Sequence, residues 1–408
     1  MTILVTTEAH FVRGVDGRVH STSGVDAYPF WRRYLDVFDR IIIAARTQTG
    51  QVSISPLVEG PGVRVLALPE YRGPWQYLSI RNDVAAVIRE AIPVADGLCL
   101  RAPGRIAGLA WRLRGDRSFG VEVVGDPLDS LSRGAIRSVA RPVARLVFAR
   151  ELRAMCSRAT AVAYVTSGSL QQRYPARGWQ TSYSSVELDD AAFATESDVE
   201  RRYTGTALVN RGTKRDPWRL VLVGSLANRN KGADVAVDAL ALCRARGLQI
   251  ILTIVGDGCE RQALERQAQM SGVGNAITFL GQLPAGAAVR DVLDRSDMLV
   301  LPSRAEGVPR AMLEAMARGV PCIGSSAGGI PELLPPERCV GPGNTRQLAE
   351  LVTRMYASRE TLQAKSREDR LTARRYRYDV LQPRRRAFYK QLRAAFTTVA
   401  EPKRATSA

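Results

Sequence analysis

Asp297-Met-Leu-Val-Leu-Pro-Ser-Arg-Ala-Glu-Gly-Val-Pro-Arg-Ala-Met-Leu-Glu-Ala-Met-Ala-Arg-Gly-Val-Pro321 reads as a strand, a loop and a short helix. Met298 to Leu301 is an unbroken apolar run, as a strand buried on both faces of a parallel sheet requires. Pro309 suits the first turn of a helix, and Gly319 followed by Pro321 closes it after about ten residues. The helix start therefore leaves the carboxyl end of the strand. Its unpaired N–H groups and roughly half a unit of positive charge make it a seat for a phosphate or pyrophosphate. Gly307 lets the backbone approach such a ligand closely. Glu306 precedes the helix and Glu314 lies in its second turn. At a rise of about 1.5 Å per residue they are too far apart to act as one carboxylate pair. Each suits hydrogen bonds from sugar or ribose hydroxyls. The same two residues also suit plain structural roles, Glu306 as an acid near a helix start and Glu314 as a solvated face residue.

The pattern repeats on both sides of this stretch. Upstream, strands are expected at Leu220–Val223, Gln249–Val255 and Ala276–Phe279, and downstream at Pro321–Ile323, with helical segments between them. An earlier series has strand candidates at Ile3–Thr6, Arg40–Ala44, Val63–Ala67, Gly97–Leu100, Gly120–Val124 and Ala161–Val165, with helices such as Trp75–Ala91 and Ile106–Leu113. Alternating strands and helices imply doubly wound parallel sheets. A chain of 408 residues exceeds one hydrophobic core. The expected fold class is α/β with two Rossmann-like domains: residues 1–188, a polar boundary at 189–216, and a second domain at 217–376. A basic helix and tail at 377–408 follow. Ligands of such sheets bind outside the carboxyl ends of the strands, which places the chemistry in a cleft between the domains.

Composition narrows the function classes. Lys and Arg number 58 against 40 Asp and Glu, a net charge of +18 that favours an anionic partner. Aromatic residues are only 6% and are not interleaved with the basic ones as stacking platforms for nucleic acid require, so no nucleic-acid partner is expected. The lysines are Lys214, Lys231, Lys365, Lys390 and Lys403, so a lysine inside a motif is conspicuous. The six cysteines form no C-x-x-C pair and read as reduced, buried thiols. Met1-Thr-Ile-Leu-Val-Thr6 reads as a strand rather than a signal peptide, and no apolar run reaches the roughly 20 residues of a membrane span. The expected location is the cytoplasm. Arg133, Arg137, Arg141 and Arg145 recur every four residues opposite Ile136, Val139, Val143 and Leu146. That basic stripe suits either a solvated face or docking on the anionic inner face of the cell membrane.

Glu306-Gly-Val-Pro-Arg-Ala-Met-Leu-Glu314, preceded by Leu-Pro-Ser and followed by Ala-Met-Ala-Arg-Gly-Val-Pro and Gly328-Gly-Ile-Pro-Glu-Leu-Leu334, resembles the E-x7-E region of glycosyltransferase family 4. The family consists of retaining enzymes of GT-B fold that use nucleotide-sugar donors. The resemblance implies that Glu306 lies near the transferred sugar, Glu314 near the donor ribose, and the backbone of Gly307 and Val308 near the diphosphate. Val221-Leu-Val-Gly-Ser-Leu-Ala-Asn-Arg-Asn-Lys-Gly232 resembles the family's first C-terminal βα loop, with Gly224 at the turn and Lys231 as the diphosphate lysine. The family usually has arginine after that glycine. Ser225 stands there, and Arg229 in the same loop is the substitute candidate. Ile254-Val-Gly-Asp-Gly-Cys-Glu-Arg261 resembles the turn that borders the nucleotide and nominates Gly256.

The first half resembles bacterial polysaccharide-assembly members of the family at Val121–Pro127 and Tyr164–Pro175. Arg101 occupies the place of a histidine found near the reacting sugar in many relatives. Glu8 and His10, just past the first strand, are candidates for the acceptor side. With no D-x-D sequence, no metal is expected, and leaving-group charge falls to Lys231, an arginine and the helix terminus. No cofactor is implied beyond a UDP- or GDP-linked sugar as substrate, and the acceptor class is a glycan or a lipid-linked glycan. Competing expectations are a nucleotide-sugar epimerase of the same fold, a catalytically silent nucleotide-sugar-binding protein, and a basic nucleic-acid-binding protein.

Overall fold

The computed structural model describes residues 1–400 apart from 23, 52–54, 72, 131–140, 204–211 and 359–360. The chain forms two compact units. One comprises Met1–Gly125, Val147–Tyr183 and the segment from Gln382 onward; the other comprises Asp126–Leu146 and Ser184–Leu381.

The first unit is built on β1 (Thr2–Arg13), β2 (Val19–Ser21), β3 (Arg40–Thr49), β4 (Val63–Leu68), β5 (Gly97–Ala102), β6 (Phe119–Val123), β7 (Ala161–Tyr164) and β8 (Trp179–Ser182). Seven of these form one parallel sheet in the order β4-β3-β1-β5-β6-β7-β8, with β2 antiparallel to β1. Ile3, Leu4, Val5, Ile41, Leu98, Leu100 and Val121 are fully buried, as expected of strands covered on both faces. The helix Tyr378–Ala400 packs onto this sheet through Phe388, Tyr389, Leu392 and Phe396. Two glycines make room for it. A methyl at Gly97 would lie 2.2 Å from the Phe396 ring, and one at Gly120 2.4 Å from Leu392.

The second unit is built on β9 (Trp218–Val223), β10 (Ile250–Val255), β11 (Ile277–Gly281), β12 (Met298–Leu301), β13 (Cys322–Ser325) and β14 (Cys339–Val340). All pair in parallel, in the order β11-β10-β9-β12-β13-β14. The order reverses between β9 and β12, and a sheet of this kind opens a crevice at the carboxyl ends of the two strands flanking that reversal. The motif loops identified in the sequence follow these two strands.

Two expectations need correction. Residues 189–203 are not a free linker: Asp190–Ala192 forms a short turn and Glu196–Tyr203 a helix within the second unit. Val199 and Tyr203 are buried, the Tyr203 hydroxyl donates to Gly319 O at 2.8 Å, and Arg370 Nη1 donates to Glu196 at 2.6 Å. Polar composition concealed one apolar stripe on a two-turn helix. The chain also passes from the second unit to the first at Gln382, a few residues later than expected. Of the basic stripe, Arg133 and Arg137 lie outside the described residues, and the described helix runs Arg141–Arg158.

Candidate active site

The site in the second unit is assembled from loops that leave β9, β10, β12 and β13 at their carboxyl ends. After β9, the backbone turns at Gly224, whose N–H donates to Val255 O at 2.9 Å, and reaches Lys231 and Gly232. The Lys231 stem lies over Gly224, where a methyl would come within 2.8 Å of Lys231 Cγ. Gly232 adopts φ +70°, and a methyl there would sit 2.1 Å from Pro302 O, so this position accepts only glycine. The β9 loop is thereby laid directly against the residue that follows β12.

That contact brings the lysine to the first glutamate. Lys231 Nζ donates to Glu306 Oε1 at 2.7 Å, and Ser303 Oγ donates to the same oxygen at 2.7 Å. Ser325 Oγ, from β13, donates to Ser303 O at 2.5 Å and fixes the turn. The Glu306 side chain is only 7% exposed whereas Lys231 retains 27%, so the ammonium is the accessible member of the pair. Gly329 N–H donates to Gly307 O at 2.8 Å, and a methyl at Gly328 would overlap Glu306 O at 1.9 Å. The Gly-Gly turn after β13 is therefore the bed on which the Glu306–Gly307 backbone rests.

The helix Arg310–Ala317 begins where the sequence predicts, with Pro309 at its N-cap and no side-chain cap among the described residues. Its first amides are left for solvent or a ligand. Glu314 lies on this helix, mostly buried, with Arg310 Nη1 3.7 Å from its Oε1. Burial pushes its carboxyl above the usual range, opposed by Arg310 and Arg290. The two glutamates have different partners, as their spacing demands. Val308 is partly buried and packs against the hydrophobic core.

The remaining candidates divide. Gly256 abuts Gly224, with only 1.9 Å between a methyl at Gly256 and Gly224 O, so the β9 and β10 loops touch. Ser225 Oγ accepts from Ala227 N–H at 3.2 Å and closes a turn. Arg229 belongs to the same loop as Lys231 but is turned elsewhere: its Nε donates to Glu260 Oε2 at 3.0 Å and its Nη1 lies 3.7 Å from Asp234 Oδ2. It does not join the Lys231–Glu306 pair. Sequence reasoning missed Ser303, Asp234 and Arg304. Arg304 stood inside the decisive stretch, but its partner Asp234 lies 70 residues away in sequence.

Arg101 and His10 belong to the first unit. Arg101 is not a free binding residue. Its side chain is 11% exposed, pairs with Glu122, and lies with its guanidinium 5.0 Å from the Phe30 ring. Glu122 also accepts from Tyr34 at 2.9 Å, Tyr183 at 2.7 Å and Tyr389 at 3.4 Å. The register that puts Arg101 opposite Glu122 on β6 explains this interior role. His10 lies within β1 rather than past it, with its Nδ1 2.8 Å from Glu70 Oε1, and is partly exposed. Glu8 accepts from Ile106 N–H at 2.9 Å and so holds the start of the helix Arg105–Leu113.

Two doubly wound parallel-sheet units have the GT-B architecture, and a lysine, a glutamate and an uncapped helix start gather at the strand reversal of the second. Residues 217–358 match the family model described as glycosyl transferases group 1. The chain is 26% identical over 341 residues to protein CapJ of Staphylococcus aureus, covering 82% of each. It is 31% identical over 130 residues to the amylovoran biosynthesis glycosyltransferase AmsK of Erwinia amylovora, covering 30% of this chain and 31% of AmsK. Among solved structures it is similar to HepE of Anabaena in complex with UDP-glucose, with a TM-score of 0.63 and 16% identity, covering 98% of this chain and all of that one. The matched segment lies within the second unit and agrees with the resemblance to glycosyltransferase family 4.

Proposed function

We propose that this glycosyltransferase is retaining and metal-independent, and moves a hexosyl group from a UDP- or GDP-sugar to a glycan or lipid-linked acceptor in cell-surface polysaccharide or glycolipid assembly. The observation that carries the reading is the 2.7 Å contact of Lys231 Nζ with Glu306 Oε1, beside the uncapped start of the helix Arg310–Ala317. In this reading the ammonium and the helix amides meet the charge that grows on the departing diphosphate. Glu306, released from part of its pairing by the incoming phosphates, accepts from a hydroxyl of the transferred sugar. Glu314 accepts from the ribose, a role its burial and partial pairing with Arg310 leave open. The name of AmsK supports the polysaccharide assignment, and the UDP-glucose bound to HepE supports the donor class.

A panel of UDP- and GDP-sugars tests this directly. A true donor raises the unfolding temperature, because a ligand bound only to the folded state stabilises it by mass action. Transfer that proceeds in EDTA with the donor's anomeric configuration in the product supports the full reading. An inverted product, or activity only with added divalent metal, counts against those parts of it.

The account extends to the membrane. Among the described residues no helix is long and apolar enough to cross a bilayer. The charge of +18 and the exposure of Trp75, Leu78 and Val147 support peripheral docking of a cytoplasmic enzyme on anionic lipid. Co-sedimentation with anionic vesicles at low salt, reversed by high salt, is expected; absence of binding at low salt ends that part of the proposal.

A further inference from the structure

Lys231 is one residue of a loop, and its position depends on what holds that loop. Arg304, two residues before Glu306, contacts it at three points. Its backbone N–H donates to Asn230 O at 2.7 Å. Its Nη1 donates to Arg229 O at 2.9 Å and to Asp234 Oδ1 at 2.7 Å, and its Nη2 to Asp234 Oδ2 at 2.8 Å. Lys231 is thus bracketed: the two carbonyls before it and the carboxylate three residues after it are all tied to one residue on the glutamate's loop. The side chains of Arg304 and Asp234 are 14% and 12% exposed, so the pair is shielded from most competition by water and salt.

Only a planar fork serves here. An arginine can donate to both oxygens of a carboxylate while a further N–H reaches a carbonyl, whereas a lysine offers one point charge. The same carboxylate lies 3.7 Å from Arg229 Nη1, and Arg229 Nε donates to Glu260 at 3.0 Å. Glu260, Arg229, Asp234 and Arg304 therefore form a chain of alternating charge that joins the β10, β9 and β12 loops. Both Nη atoms of Arg304 are committed to it.

Resting on the donor-site reading above, we infer that Arg304, through its two-pronged pair with Asp234, is a positioning residue for Lys231, and sets how well the site holds a diphosphate. The pair works by fixing the distance from Lys231 to Glu306. It adds no contact of its own to the donor.

The test uses the full chain and calorimetric affinities for UDP and GDP, with uridine and guanosine followed by NMR titration. Arg304→Ala and Asp234→Asn are expected to weaken the preferred diphosphate about tenfold or more, which is about 1.4 kcal/mol per factor of ten. Nucleoside affinity should stay unchanged. Arg304→Lys, which keeps the charge but loses the fork, should fall between wild type and Arg304→Ala. In a Lys231→Ala background, Arg304→Ala should cause no further loss, because the residue through which it acts is gone. Should Arg304→Ala fail to fold, Asp234→Asn and Arg304→Lys carry the same comparison. An undiminished further loss in the Lys231→Ala background, or unchanged diphosphate affinity in folded variants, overturns the inference while leaving the donor site intact. Wild-type protein that binds neither UDP nor GDP overturns the donor-site reading, and the inference with it.

Discussion

Replacing Gly232 by alanine should damage catalysis far more than stability alone predicts. The residue sits at φ +70°, where an L side chain costs about 1–2 kcal/mol. The added methyl would also lie 2.1 Å from Pro302 O, a backbone atom that cannot swing aside. Restoring an ordinary contact requires the loop to retreat by about 1 Å, and misplacement on that scale costs on the order of a hundredfold in rate. Lys231 is the neighbouring residue, so the retreat stretches its 2.7 Å contact with Glu306. Gly247 supplies the control. It has φ +85° and nothing within 4 Å of an added methyl, so Gly247→Ala carries the backbone strain without the collision. Urea unfolding should show Gly247→Ala destabilised by about 1 kcal/mol with wild-type turnover. Gly232→Ala should be destabilised further, with turnover per folded molecule down about a hundredfold. A Gly232→Ala enzyme as stable and active as Gly247→Ala would refute the claim that loop contact with Pro302 places the lysine.

Other predictions follow from single contacts. Lys231→Ala should lower kcat by about a hundredfold to a thousandfold, the usual cost of removing one group that stabilises developing charge, and should also lower the melting temperature, because Glu306, only 7% exposed, loses its counter-charge. Glu122→Gln should destabilise the protein by about 3–5 kcal/mol in urea unfolding, because it leaves the buried Arg101 without its counter-charge. Burial raises the Glu122 carboxyl, but Arg101, Arg33 and the hydroxyls of Tyr183 and Tyr34 outweigh it and hold the group below the usual glutamate range. A lowered native value means that this contribution is present above the unfolded glutamate pKa and is lost as pH falls through the native one. Stability measured against pH should show a loss on acidification in wild type that Glu122→Gln lacks. Asp369 is fully buried against Arg338 at 2.7 Å, and burial pushes its carboxyl up to about 6. Between the unfolded aspartate value and that point the folded state binds the extra proton, so this group's contribution falls as pH rises through the window, and Asp369→Asn should abolish that slope.

Much of the second unit was legible because its signals are local. The run Met298–Leu301 is apolar at every position, and the strand occupies those four residues. Pro309 and Gly319 bound a helix that runs Arg310–Ala317. Gly224 is legible as the turn after β9, and the Lys231 stem lies over it. What escaped was the pairing of charges. With 58 basic and 40 acidic residues, nothing local indicates that Arg304 meets Asp234, that Arg229 meets Glu260, or that Arg101 is consumed by Glu122. Such pairs are set by sheet register and loop packing, which spacing along the chain does not encode. The helix Glu196–Tyr203 escaped for a related reason, since two buried residues among six polar ones give too weak a period to read.

A crystal structure of the protein with UDP, or GDP if that binds better, tests the central claim most directly. The account predicts diphosphate oxygens within about 3 Å of both Lys231 Nζ and the first amides of the helix Arg310–Ala317. A diphosphate bound elsewhere, with Lys231 still paired to Glu306 and the helix start empty, would contradict it.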